Sequence, residues 1–125
     1  MSDDSEIDDD ELLFRRILPQ HFDPGIDIKP SYQAFLPQKN DLTGISLFRA
    51  NYASAESVAG NKPDRWDFVG VLRAGDIRHA GIELHVDNPD IPGHVEIPSL
   101  RYERRKESVA IDQASQLAEN LCLDV

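Results

Sequence analysis

Between residues 67 and 97 the chain reads DFVGVLRAGDIRHAGIELHVDNPDIPGHVEI, three apolar runs cut by turns rich in glycine and proline. Runs of this length and spacing are strand-like, and a chain that must bury three of them needs a sheet with something packed on it. The first run carries Phe68, Val69, Val71 and Leu72 without alternation. That is the pattern of a strand covered on both faces, so it is expected to be the central strand. An excursion bounded by Gly75 and Gly81 follows, with room for one helical turn. Ile82, Leu84 and Val86 then alternate with Glu83, His85 and Asp87, and Val95 and Ile97 alternate with His94 and Glu96. The spacing predicts two strands of a hairpin with a long loop. In an antiparallel register that keeps the apolar positions together, Glu83, His85, His94 and Glu96 share the opposite face.

The remainder reads as material around that unit. LLFRRIL, residues 12–18, reads as a first strand ended by Pro19, although its unbroken mixture of apolar and basic residues fits a helix nearly as well. Arg15 and Arg16 are adjacent in it and must point to opposite faces, so if both faces are covered one guanidinium needs a buried anionic partner or a ligand. Residues 20–42 hold Pro24, Gly25, Pro30 and Pro37 and are expected to be loop-rich. Within them Ser31 can cap a short turn that ends on Phe35, which would anchor the loop to the core. Residues 44–50 give a second strand, with Ile45 and Leu47 on one face and Ser46 and Phe48 on the other. A short helix is expected at 54–59 before Gly60, then a turn at 61–64. Ala110, Ala114, Leu117 and Leu121 form one apolar stripe of a helix over 109–121, with Ser108 as its cap and Cys122, Leu123 and Val125 closing the core. The fold class that follows is α+β: a small mixed or mainly antiparallel sheet of four to five strands with the C-terminal helix packed on one face.

Charge divides the chain. Seven of its 23 acidic residues are Asp3, Asp4, Glu6, Asp8, Asp9, Asp10 and Glu11, and no Lys or Arg precedes Arg15. Residues 1–11 are therefore expected to be a disordered acidic tail, either solubilising or docking on a basic partner, ahead of a single domain at 12–125. The domain itself is only slightly acidic and lacks the clustered basic face that double-stranded DNA requires, so no DNA is expected as a partner. No apolar run is long enough for a spanning helix, the N-terminus lacks the pattern of a signal peptide, and a lone Cys122 cannot form an internal disulfide. These features lead to the expectation of a cytoplasmic protein with no membrane partner.

Chemistry-bearing patterns are few. A phosphate-cradling glycine loop and a nucleophile elbow are both missing, so neither nucleoside triphosphate use nor hydrolysis gains support, and no cofactor is expected. Glu83, His85, His94 and Glu96 are the positions a divalent metal would use, but their alternation equally describes a solvated strand face, and no metal is expected. Cys122 reads as a packed thiol, and Trp66 as a rim residue over the core or a recognition aromatic. The basic cluster of Arg101, Arg104, Arg105 and Lys106 around Tyr102 is a solvated connector or a site for phosphate or for the chain's own acidic tail.

Four short motifs occur in a recognisable succession: Leu13-Phe14-Arg15-Arg16-Ile17, Ser31 with Phe35, Gly44-Ile45-Ser46, and Pro92-Gly93-His94. In this the chain resembles a loose group of small bacterial proteins with a basic first strand, a Ser-x-x-x-Phe turn, a Gly-x-Ser strand and a Pro-x-His strand. The group has no established activity, so the resemblance implies candidate positions: Arg15, Arg16, Ser31, Ser46 and His94. Arginine, hydroxyls and imidazole converging in one cleft would suit an anionic or nucleotide-like ligand. The order of basic, serine-bearing and glutamate-bearing strands is also loosely similar to ADP-ribosyltransferase-like enzymes, without their Ser-Thr-Ser and paired-glutamate patterns. The leading expectation is a non-enzymatic module that binds a protein partner, an accessory in a bacterial multi-gene system. The alternatives are a small enzyme or ligand-binding domain for an anion, and a metal-bound fold.

Overall fold

The computed structural model describes residues 7–23, 25–52, 68–86 and 93–124. The helix expected at 54–59, the turn at 61–64, Trp66 and the hairpin loop at 88–92 lie outside them, as do residues 1–6 of the acidic segment and Val125. The architecture is α+β. Five strands, β1 (Leu12–Ile17), β2 (Ile45–Arg49), β3 (Phe68–Arg73), β4 (His94–Ile97) and β5 (Cys122–Asp124), form one sheet in the order β4-β2-β1-β3-β5. Every pairing is antiparallel. Helix α1 (Ala74–His79) follows β3 directly, and α2 (Ser108–Gln116) runs into a π-helical stretch at Leu117–Leu121 before β5.

The central strand is β1, not β3. All six residues of β1 are in register with β3, from Leu12 opposite Arg73 to Ile17 opposite Phe68, and β2 takes its other edge with Phe14 opposite Phe48. The apolar run of Phe68–Arg73 does not report two covered faces either: Gly70 and Leu72 are buried on the core side, while Val69 and Val71 on the other are half-buried and Arg73 is exposed. The hairpin is also reduced. His85 and Glu96 exchange two backbone hydrogen bonds of 2.9 Å in an isolated bridge, and residues 82–86 form no strand. The facing survives that loss, because one bridge is enough to fix the register.

Pairing sorts the side chains into two faces. Leu13, Ile17, Ile45, Leu47, Leu72, Val95 and Ile97 share one face and are all fully buried. They pack with Ile77, Ala110, Ala114, Leu117, Leu121 and Leu100 in the core. The apolar stripe of the C-terminal helix is buried as its spacing predicts, and the π-helical stretch brings Ala118 into the core beside Leu117. Ser108 is the first helical residue, not the cap; Glu107 holds that place without a side-chain hydrogen bond.

The domain begins earlier than composition implies. Ile7 is 1 % exposed and part of the core, and Gly75 N–H and Ala74 N–H donate to the carbonyls of Asp9 and Glu11. Arg78 Nη1 donates to the Ile7 carbonyl and to Asp9 Oδ1 at 2.6 and 2.8 Å. One isoleucine amid the acids, together with Arg49 and Arg78 as counter-charges, fixes a segment that composition alone marks as unable to fold. Among the described residues no helix is long and apolar enough to cross a membrane.

Candidate functional site

The two adjacent arginines of β1 point to opposite faces, as strand geometry requires. Arg15 lies on the core face between Leu13 and Ile17. Its Nε donates to the Ala34 carbonyl and its Nη1 to the Ser46 carbonyl, both at 3.0 Å. Among the described residues no carboxylate comes within ion-pair distance of this guanidinium, and Nη2 has no hydrogen bond. Burial pulls its pKa down to about 10, a shift that the charge of Asp41 only partly offsets. Asp41 is held elsewhere: its Oδ2 accepts from Gln38 N–H at 2.7 Å. The result is a half-buried cation whose hydrogen bonds go to neutral carbonyls alone.

Arg15 lines a cavity of about 380 Å³ at the C-terminal end of β1, together with Arg16, His21, Gln33, Asn40 and Asp41. Local signals build its walls. Pro19 ends β1 and starts the 3-10 turn Pro19–His21, which carries His21 to the rim. Ser31 Oγ accepts from Gln33 N–H at 3.2 Å and caps the turn Tyr32–Phe35, while fully buried Phe35 pins that turn to the core. Gln33 and the Ala34 carbonyl are thereby fixed over Arg15. The imidazole of His21 titrates below its ordinary range, first because it is partly buried and second because Arg15 faces it. A second cavity of about 340 Å³ shares His21, Gln33 and Gln38 with the first and adds Leu36, Arg105 and Lys106.

The five expected site residues do not meet in one cleft. Arg15 and Arg16 line the first cavity, and Ser31 acts on its wall as a cap. Ser46 and His94 pair on the other face of the sheet: His94 Nε2 is 2.8 Å from Ser46 Oγ. The expectation of a solvated position at His94 is overturned, since its side chain is 7 % exposed and the edge of its ring meets Phe48 at a centroid distance of 5.8 Å. Its Nδ1 is buried without a hydrogen-bond partner among the described residues.

The candidate metal ligands engage separately. Glu96 Oε2 accepts from Thr43 Oγ1 at 2.5 Å, and His85 Nε2 lies 3.5 Å from Glu83. Among the described residues no group of three His, Cys, Asp or Glu side chains is placed to hold an ion. Cys122 is buried at the start of β5. The largest of the described cavities, about 580 Å³ between the chain start and α1, is lined by Asp9, Asp10, Asp76 and His79, and its Arg73 is already bonded to Asp76 at 2.9 Å.

Sequence reasoning marked Arg15 and Arg16 but missed His21, Gln33, Gln38 and Asn40. Polar residues in a proline-punctuated loop carry no periodicity that could single them out. No protein-family model, curated protein or solved structure matches this chain.

Proposed function

We propose that this chain is a small, non-enzymatic binding module whose ligand is an anion held at the Arg15 cavity. The observation that carries this reading is the guanidinium of Arg15, half-buried, hydrogen-bonded only to carbonyls, with no carboxylate within ion-pair distance among the described residues, and lining a cavity of polar residues. A cation drawn partly out of water loses hydration that carbonyls and the charge of Asp41 only partly replace, and a closer anion would stabilise it. A phosphate or carboxylate in the cavity would supply the missing counter-charge through short, charge-assisted hydrogen bonds. Gln33 and Asn40 offer amide donors to the remaining oxygens. A binding role is favoured over catalysis because the paired hydroxyl and imidazole of Ser46 and His94 lie on the opposite face of the sheet from Arg15, and His21 in the cavity has no hydroxyl or thiol bonded to it among the described residues.

The test is titration of the full chain with sodium sulfate and with sodium phosphate, followed by NMR and calorimetry. Saturable shifts at Arg15, His21 and Gln33 are expected, lost in Arg15→Gln and partly restored in Arg15→Lys. Ser46→Ala should bind as the parent does. Absence of saturable binding, or full binding in a folded Arg15→Gln variant, would sink the reading.

A further inference from the structure

The Arg15 cavity does not end at its own walls. His21, Gln33 and Gln38 line both it and the second cavity, so the two adjoin, and a ligand lying across both would take these three residues as its floor. One half carries Arg15, the other Arg105 and Lys106, and the floor between them is two neutral amides and an imidazole. We infer, taking the anion-binding reading as given, that the ligand is an elongated small molecule with two anionic groups joined by a polar or flexible linker, one group seated at Arg15 and the other at Arg105 and Lys106.

Three observations beyond the shared floor support a built second end. The Arg105 guanidinium is stacked over the Tyr102 ring, 3.8 Å from its centroid, and its Nη1 donates to the Tyr102 carbonyl at 3.0 Å. Stacking and hydrogen bond together hold a long side chain that would otherwise lose rotamer freedom on binding. The 3-10 turn Tyr102–Arg104, which Arg105 follows as its C-cap, is tied to the first cavity, because Tyr102 N–H donates to the carbonyl of Asp41, a residue of the Arg15 wall, at 2.9 Å. The neighbouring cations of the cluster face carboxylates instead: Arg101 Nε is 3.2 Å from Glu103 and Arg104 Nε is 3.4 Å from Glu107. Arg105 and Lys106 make no ion pair among the described residues, and they are the two that line the groove.

Size points the same way. Each half, at about 340 to 380 Å³, sits at the lower end of what small-molecule sites occupy, far more than one oxyanion fills. A ligand reaching both ends binds its second group at a raised effective concentration, which multiplies affinity without new contacts at the first.

The probes are propylphosphonate and a series of bisphosphonates whose two phosphonates are separated by one to eight methylenes. Calorimetry on the full chain should find an optimum linker length that binds roughly tenfold or more tightly than the monophosphonate. In Arg105→Gln/Lys106→Gln that advantage should fall to within about twofold while propylphosphonate affinity is retained, as linkage of two independent subsites requires. If no linker length exceeds the monophosphonate, or if the double variant keeps the advantage, the two-ended ligand is refuted while the Arg15 site stands. If neither probe binds, the anion-binding reading itself fails. Loss of all binding in a folded double variant also refutes the inference, because it makes the two ends one site.

Discussion

Glu11 and Arg49 form a two-point ion pair at the end of β2: Glu11 Oε2 accepts from Arg49 Nε at 2.5 Å and Oε1 from Nη2 at 2.9 Å, both side chains under a tenth exposed. The pair clamps the chain start to the sheet. Removing the carboxylate takes a two-point partner from a buried guanidinium, so Glu11→Ala should cost about 3–5 kcal/mol in chemical denaturation. A loss below about 1 kcal/mol, the range of a surface pair, would show that the segment before β1 is not part of the fold.

Ser46 and His94 give a second stability test. Ser46→Ala strips Nε2 of its hydrogen bond in a ring whose Nδ1 already has none, and should cost about 1–3 kcal/mol. Replacing both partners by apolar groups, Ser46→Ala with His94→Phe, should recover most of that loss, since no polar atom is then stranded. A double-mutant cycle with no coupling between the two positions would contradict the pairing.

Gly44 precedes β2 with φ +144°, and a Cβ there would run into the backbone carbonyl of Ile97 on β4. Gly44→Ala must therefore strain its own backbone and push apart a paired strand. The backbone strain alone should cost about 1–3 kcal/mol. Hydrogen exchange should show the loss concentrated in β2 and β4; an unchanged midpoint of unfolding would refute it.

The depressed pKa of His21 sets the pH dependence of the Arg15 cavity. With the folded value below the unfolded one, His21 contributes stability that is full above about pH 6.5 and is lost as pH falls through its folded pKa. A bound anion reverses the sign, because it favours the imidazolium. Sulfate, which stays dianionic across the range, should bind more tightly at pH 5 than at pH 7.5, and the His21 pKa measured by NMR should rise on saturation. The other charged residues that line the two cavities with His21 are Arg15, Arg16, Asp41, Arg105 and Lys106, and His21→Gln should flatten the profile. A flat profile in the parent would remove His21 from the site.

The local elements were legible in the residues because each rests on neighbours in the chain. Alternation in Ile45–Arg49 and His94–Ile97 set which side chains face the core, the stripe from Ala110 to Leu121 set the helix face, and Ser31 capped its turn. Adjacency alone sent Arg15 and Arg16 to opposite faces. What the sequence could not carry was who stands beside whom. Strand edges hydrogen-bond through backbone groups common to all residues, so nothing local made β1 the centre in place of β3. Ion pairs such as Glu11 with Arg49 and contacts such as Ser46 with His94 join residues 38 and 48 positions apart. The groove is the same case: Arg15 comes from β1, His21 and Gln33 from two turns of the connection that follows it, and Arg105 from the connection after β4, and only the closing of the sheet over its core brings them together.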